Sequence, residues 1–504
     1  MPLNTGTGYF NRHSYKTRAL ARLTRPEPYR DKPTSKGFFY NATYKKERHI
    51  IHNIKHSKSP RNERKVKSGM ISRSKVVKTF FAKRTTMLYT RNHISLKPKE
   101  KCRPVYNVDP VFLKLEAMLT FPGMVQMRPM SSCVLYGYET IRGGCHYLDH
   151  IAKSFNSYFT IDWSSFDQRV PRPITDIYYT DFLESLLVIS HDYSPTLDHH
   201  PEQPQPTDVF FKKMSNLLHC LHEWYNSMVY ITADGYAYQR LFAGVPSGLL
   251  NTQLLDSFVN LYLIIDGLLE YGFSPDEIRT FKFFIMGDDN SGMTNLPLQE
   301  LEKFIAFFET YAQERWNMTL SQVKSIITSL RNKIEVLGYQ VNFGTPYRLI
   351  DKLVAQLSYP EHGLKPKYMS YRALGIAYAA AGQDYEFHQF CRDVYMAFIE
   401  DKADLTSELK DKLRKHLSGA MRSDDDIFTD INFGKFPSIE EVRSVYREWK
   451  GSLQYSPKWD YSYFLTKPFV EEENYITMEQ YRKIHNISRL PVRQYRIDDK
   501  IIRQ

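Results

Sequence analysis

Apolar positions along this chain fall into two periods. From Val111 they recur at helical spacing through Phe112, Leu115, Met118 and Leu119, which predicts a helix closing at Pro122-Gly123. Residues 158–161 are continuously apolar or β-branched and read as a strand running into Asp162. Helical spacing returns over 171–189 (Ile174, Ile177, Tyr178, Phe182, Leu186, Leu187), and again over 214–230, 246–271 and 298–312. Residues 230–242 alternate about Asp234-Gly235 and predict a hairpin. A strand over 280–291 stops at Gly287, and 335–348 predicts two short strands around Phe343-Gly344-Thr345-Pro346. Residues 191–208 carry four prolines and no period, so they read as a surface loop. Beyond about residue 360 the pattern is helical to the low 420s, and the last eighty residues are Tyr-rich and irregular.

Composition adds a partner class. With 504 residues, 42% of them hydrophobic, the chain can bury a large core made of several subdomains. The first 100 residues hold 25 Lys and Arg against 5 Asp and Glu, a surplus of 20, so the rest carries −8 of the net +12. A basic N-terminal part on a mildly acidic body points to a polyanion, most simply nucleic acid. Residues 1–95 show little apolar periodicity, and 49–83 reads as a basic stretch, partly mobile or draped over an RNA path. The 36 Tyr and 31 Phe can fill a core or stack on bases. Five cysteines without a CxxC pair indicate reduced thiols and an intracellular setting, and His199-His200 has no cysteine neighbours to make a zinc site. The first residues lack the apolar core of a signal peptide. The longest apolar run, 258–269, is too short for a bilayer, so no membrane association is expected.

Four segments carry candidate chemistry. Phe283-Phe284-Ile285-Met286 leads through Gly287 into Asp288-Asp289, two carboxylates on a tight turn at a strand end, where a divalent metal is the usual counter-charge. Ile161-Asp162-Trp163-Ser164-Ser165-Phe166-Asp167 supplies a second strand-end carboxylate and another five residues on. Carboxylates from two adjacent strand ends suit a two-metal clamp on a nucleotidyl-transfer centre, with Asp162 and Asp288 as ligands and Asp289 weaker or outer-sphere. Gly244-Val245-Pro246-Ser247-Gly248 offers backbone N–H groups and a flexible joint, followed by Thr252, Asp256 and Asn260 along one helix face. Lys97-Pro98-Lys99-Glu100-Lys101-Cys102-Arg103-Pro104 alternates basic residues in an extended segment, where Arg103 can grip a triphosphate.

In this order the motifs resemble those of viral RNA-dependent RNA polymerases, with the partitivirus type of double-stranded RNA virus as the best match. Asp162 to Pro171 resembles motif A, Gly244 to Asn260 motif B, and Gly287-Asp288-Asp289 motif C. Ser321-Gln322-Val323-Lys324-Ser325 resembles motif D, Leu337 to Arg348 motif E, and Lys97 to Tyr106 motif F. The resemblance spans about residues 95–380. It implies a helix-rich α+β right-hand fold whose palm is an antiparallel sheet flanked by helices. Residues 1–95 would be a basic extension of the fingers and 96–160 fingers with motif F. The palm would be 161–350, with a fingers insertion near 190–240, and 351–504 the thumb and tail.

The resemblance also implies roles. Asp162, Asp288 and Asp289 would hold two Mg²⁺ ions, with Mn²⁺ as a substitute, and Lys324 would protonate the departing pyrophosphate. Arg103, with Lys101 or Lys99, would contact the triphosphate, and Asp167 would read the ribose 2′-hydroxyl. Ser247, Gly248 and Thr252 would position template and nucleotide. Many positive-strand virus polymerases place an Asn four residues after the motif B Thr; here Asp256 stands there, so ribose selection would involve Ser257, Asn260 or a protonated Asp256. The implied substrates are ribonucleoside triphosphates and an RNA template, the genome double-stranded RNA, and the partner a capsid protein, inside a virion or the host cytoplasm. The Tyr-rich 455–464 would pack the thumb or serve as a priming platform. A reverse transcriptase shares the carboxylates but usually has an aromatic residue before the Asp pair, where Met286-Gly287 stand here. A basic RNA-binding or capsid-core protein with decayed motifs is the other alternative, opposed by the intact Asp162, Asp288, Lys324 and Arg103.

Overall fold

A computed structural model describes residues 3–60, 68–95, 101–128, 130–190, 206–321, 324–360, 363–404, 406, 431–452 and 475–493. The described strands are β1 (Thr86–His93), β2 (Lys101–Asn107), β3 (Ser157–Thr160), β4 (Val229–Ile231), β5 (Ala237–Gln239), β6 (Lys282–Met286), β7 (Asp289–Thr294), β8 (Ile326–Thr328), β9 (Glu335–Val336) and β10 (Tyr339–Gln340). The longest described helices are α1 (Lys36–Ser57), α2 (Pro110–Gln126), α3 (Thr207–Asn226), α4 (Thr252–Tyr271) and α5 (Leu298–Trp316).

Strands β6, β7, β3 and β8 form one antiparallel sheet in that order. Its residues alternate between two cores, as the twofold period of a strand requires. Phe159, Phe283 and Ile327 face a large cluster with α2, α4 and α5, whereas Tyr158, Phe284 and Met293 face a smaller one with Leu135, Leu148 and Val336. The sheet is buried on both faces, so its polar strand ends are forced to one edge. A second sheet, β2-β1-β4-β5, pairs Arg91 opposite Arg103 in the β1–β2 hairpin. Residues 353–446 build a separate helical core around Leu353, Leu374, Phe387 and Tyr446.

Several elements differ from the periodic reading, each for a tertiary reason. The basic N-terminal part is no loose arm: Ile50, Ile51 and Ile54 of α1 and Val77 and Phe81 of the helix Arg73–Lys83 sit in the main core. Lys and Arg on the opposite faces had masked these stripes. Residues 61–67 lie outside the described residues. The helix from Pro110 passes through Pro122 to Gln126. The stretch 171–189 breaks into Arg172–Ile177, a π turn at Tyr178–Phe182 and Leu183–Leu186. The turn between β9 and β10 falls at Leu337-Gly338, with Phe343 to Pro346 forming the next bend.

The C-terminal segment is the largest correction. Residues 475–493, expected with the thumb, pack on the main body: Met478 is fully buried there, and Phe211 meets Tyr481 at 4.8 Å between ring centroids. Arg482 pairs with the buried Glu184 at 2.6 Å, and Val188 bridges to Thr477. The segment 455–464 and His199-His200 lie outside the described residues. Helix α4 is long and apolar enough to cross a membrane by composition alone, and its burial between α5 and the sheet accounts for that composition.

Candidate active site

The carboxylates meet because β3 and β7 are neighbours. The β6–β7 hairpin closes with a two-residue loop, Gly287-Asp288, between the paired Met286 and Asp289. Gly287 has φ 67°, the positive value such a loop needs at its first position, and a Cβ there would approach Gln253 Nε2 to 2.7 Å. Asp288 and Asp289 stand solvent-accessible at the tip, and Asp162 follows β3 beside them.

A buried amide network locks these two strand ends together. Asn290, one residue past the pair, accepts from Ile161 N–H at 3.0 Å and donates to the Ile161 carbonyl at 2.9 Å. Asn260 of α4 donates to the carbonyls of Gly287 and Asp288, both at 2.9 Å, and accepts from Trp163 Nε1 at 3.0 Å. Ser257 Oγ receives the Gly287 N–H at 2.8 Å. Asn260 and Ser257 are thus occupied in holding the turn from behind. Asn260 is fully buried, its amide taken up by these backbone carbonyls and by Trp163.

Electrostatics mark the cleft as short of positive charge. Asp289 is pushed up to about 6 by partial desolvation, then by the charges of Asp288, Asp162 and Glu335, with Arg103 opposing. Glu335, on β9, had no sequence signal beyond its place in a short strand. Burial, then Asp162, also raises its carboxyl, against Lys352. Among the described residues no three acidic, His or Cys side chains converge on one point, so the carboxylates repel across the cleft without forming a closed cage. Lys324 Nζ lies 3.3 Å from Asp162 Oδ1 with both side chains well exposed, a surface-type ion pair that an arriving cation can displace.

The expected long helix over 246–271 begins only at Thr252, because the preceding segment is held as a loop. Val245 N–H donates to the Asp167 carbonyl at 2.6 Å, Gly244 N–H to Val170 at 2.8 Å, and Tyr106 N–H to the Ser247 carbonyl at 2.8 Å. Gly248 sits at φ 122°, and a Cβ there would collide with the Tyr106 carbonyl oxygen. Thr252 donates to the carbonyls of Pro246 (2.9 Å) and Leu249 (3.3 Å), so its hydroxyl shapes the loop.

Ser247 Oγ thereby donates to Asp167 Oδ2 at 3.0 Å. Burial raises the Asp167 carboxyl, as does Asp288, while Ser247 and Arg103 draw it down. A cavity of about 170 Å³ opens beside this pair, lined by Tyr106, Asp167, Gln168, Arg240 and Ser247. Arg240, which the sequence did not single out, stacks 4.7 Å from the Tyr225 ring centroid. Asp256 is 5% exposed with an Oδ1 lacking a hydrogen-bond partner among the described residues; burial, then Asp167 and Asp288, hold it well above the ordinary carboxylate range. Arg103 reaches this cleft from β2. Lys97 and Lys99, like Gln322 and Val323, lie outside the described residues, and so does the side chain of Lys101.

Comparison with known proteins agrees with this geometry. The family model for viral RNA-dependent RNA polymerase matches residues 14–397. The RNA-directed RNA polymerase of Atkinsonella hypoxylon virus (isolate 2H) is 37% identical over 485 residues, covering 90% of this chain and 71% of that one. The RNA-directed RNA polymerase of White clover cryptic virus 1 is 27% identical over 403 residues, covering 76% of this chain and 62% of that one. Both relatives come from partitiviruses. Among solved structures, the Sicinivirus 3Dpol RNA dependent RNA polymerase superposes with a TM-score of 0.51 at 12% identity, over 83% of this chain and 78% of that one, a likeness of fold. With the model match spanning most of its length and a relative of this identity covering nine tenths of it, the chain belongs to the viral RNA-dependent RNA polymerase family, nucleotidyltransferases of right-hand fold.

Proposed function

We propose that the chain copies RNA by two-metal nucleotidyl transfer and serves the replication and transcription of a double-stranded RNA genome. The observation that carries this reading is the gathering of Asp162, Asp288, Asp289 and Glu335 at one cleft, where partial desolvation and then the neighbouring carboxylates lift Asp289 to about 6, a surplus of negative charge that bound cations would offset. Asp162 and Asp288 would hold two Mg²⁺ ions, or Mn²⁺, with Asp289 assisting and Glu335 adding negative field. When bound, such ions supply Lewis-acid stabilisation of the attacking 3′-oxygen and the leaving pyrophosphate.

The chain's own groups do the rest. Arg103 meets the triphosphate and balances charge that grows on it. Lys101 and Lys99 would add to that contact. Lys324, freed from Asp162 when cations occupy the cleft, donates a proton to the departing pyrophosphate. Asp167, aligned by Ser247, accepts from the ribose 2′-hydroxyl at the edge of the 170 Å³ cavity. Gly248 and Thr252 keep that loop in its shape, and Asp256, whose carboxyl burial raises and whose Oδ1 has no hydrogen-bond partner among the described residues, would offer a further polar group towards the sugar. Asn260 acts one layer back, on the carbonyls of the Gly287-Asp288 turn.

By its likeness to the partitivirus polymerases, the chain would act with a capsid protein, in virions and the host cytoplasm. The test is incorporation of labelled ribonucleotides by the purified chain on a single-stranded RNA template and on a double-stranded one. Product of complementary sequence is expected from both, abolished by a chelator and restored by Mg²⁺. Absence of product on either template would overturn the reading for that template.

A further inference from the structure

The buried side of the 244–251 loop holds a polar cluster that the nucleotide-binding roles leave unused. Glu116, on α2, is fully buried. Its Oε2 accepts the Leu250 N–H at 2.8 Å, and its Oε1 has no hydrogen-bond partner among the described residues. Tyr178, Tyr179 and Asn251 gather around it, all fully buried. The Asn251 amide lies beside both phenols, yet neither hydroxyl nor the amide completes a hydrogen bond of normal geometry.

The groups facing Glu116 are therefore two phenols and a neutral amide, with Tyr136 and Tyr225 next to them, and no cation among the described residues acts on its carboxyl. Burial pushes Glu116 up to about 8, and the Leu250 N–H draws it back only in part. An ionised carboxylate here would have no counter-charge, whereas a protonated one accepts from Leu250 and still gives a donor to the cluster.

The position of this contact makes it relevant to the site. Gly244, Val245 and Ser247 bond the loop to Val170, Asp167 and Tyr106, all on segments that themselves line the cleft. Leu250 bonds it to α2, an element of the main core. We propose that Glu116 is a positioning residue: in its neutral form it fixes the loop that presents Ser247 to Asp167, so nucleotide binding depends on a proton held within the core. This rests on the polymerase reading of that loop.

The pH sense follows from the two states. The unfolded carboxyl titrates near 4.5 and the folded one near 8, so between these values the fold holds a proton that the open chain has lost. Stability from Glu116 falls as pH rises across that window and is gone above about 8.

The experiment compares parent, Glu116→Gln and Glu116→Leu in RNA synthesis on a defined template from pH 6.5 to 9, alongside thermal melting. Gln is permanently neutral and its amide oxygen still accepts from Leu250. It should keep kcat at pH 7 within about threefold, and its rate relative to parent should rise at least threefold by pH 9. Its melting temperature should gain on the parent's between pH 6 and 8.5. Leu, which removes the acceptor, should raise the KM for nucleotide about tenfold or more, with kcat less affected. A Gln-to-parent ratio flat in both rate and melting would overturn the proposal, as would a parental KM in the Leu variant. A parent that makes no RNA would instead overturn the polymerase reading, and the melting comparison would still report on the Glu116 proton.

Discussion

Asp289 and Asp256 are both lifted carboxyls, and they make opposite predictions. Asp289 is raised to about 6 by partial desolvation and by Asp288, Asp162 and Glu335, charges that a cation compensates. Because the protonated form cannot ligate, Mg²⁺ affinity should fall as pH drops through about 6 and level off above 7. Titration calorimetry of parent and Asp289→Asn checks this: the variant should bind more weakly at pH 7.5 and lose most of the pH dependence. Asp256 is lifted chiefly by burial, with Asp167 and Asp288 adding to it, and its Oδ1 lacks a partner among the described residues. Asp256→Asn, neutral at every pH, should keep the preference for ribo- over deoxynucleotides within about threefold, and Asp256→Ala should reduce it about tenfold, read in single-nucleotide incorporation. Equal discrimination by the Ala variant and the parent would remove Asp256 from ribose selection. Asp162, Asp167 and Asp288 were legible in the sequence because carboxylates at strand ends need a reason. Glu335, Arg240 and Asn290 were not, since each joins the cleft only through pairings between distant segments that no local pattern encodes.

Elements followed the periodic pattern wherever a whole face was buried. Helix α5 and strand β6 came out as their apolar repeats required, within a few residues at their ends. Failures came where tertiary contacts outweighed local preference. The loop before α4 reads as helix, yet Asp167, Tyr106 and Glu116 each take a backbone hydrogen bond from it or give one to it. Helix α1 reads as a charged arm because its lysines outnumber its isoleucines, although Ile50, Ile51 and Ile54 are the residues that decide its place. The segment around Met478 shows no sequence signal of docking on α3. It is held by Tyr481 against Phe211 and by the Arg482–Glu184 pair, none local in sequence. Met478→Ala should destabilise the chain by about 2–5 kcal/mol, the usual range for emptying a buried apolar site. Denaturant unfolding measures it, and a loss under 0.5 kcal/mol would mean that 475–493 contributes little to the body.

Seen whole, the molecule places a sheet, buried on both faces, beneath a cleft that gathers carboxylates from β3, β7 and β9 and an arginine from β2. Among the described residues, part of the basic surplus of the first 100 lies on helices whose apolar residues enter the main core, so charge and core share the same elements. RNA affinity should accordingly decline with salt, as phosphate contacts by Lys and Arg require. The C-terminal segment returns from the helical 353–446 core to the main body, so the two cores are joined at both ends of that excursion. In the proposed mechanism, the carboxylate pair across β3 and β7 converts this arrangement into catalysis. Single-turnover addition of one ribonucleotide to an RNA primer–template in Mg²⁺ examines it, comparing the parent with Asp162→Asn and Asp288→Asn. The rate should drop by about 10³-fold or more in each variant, while affinity for the primer–template stays within about threefold. Variants that extend the primer at the parental rate would contradict the assignment of Asp162 and Asp288 as the metal-holding pair.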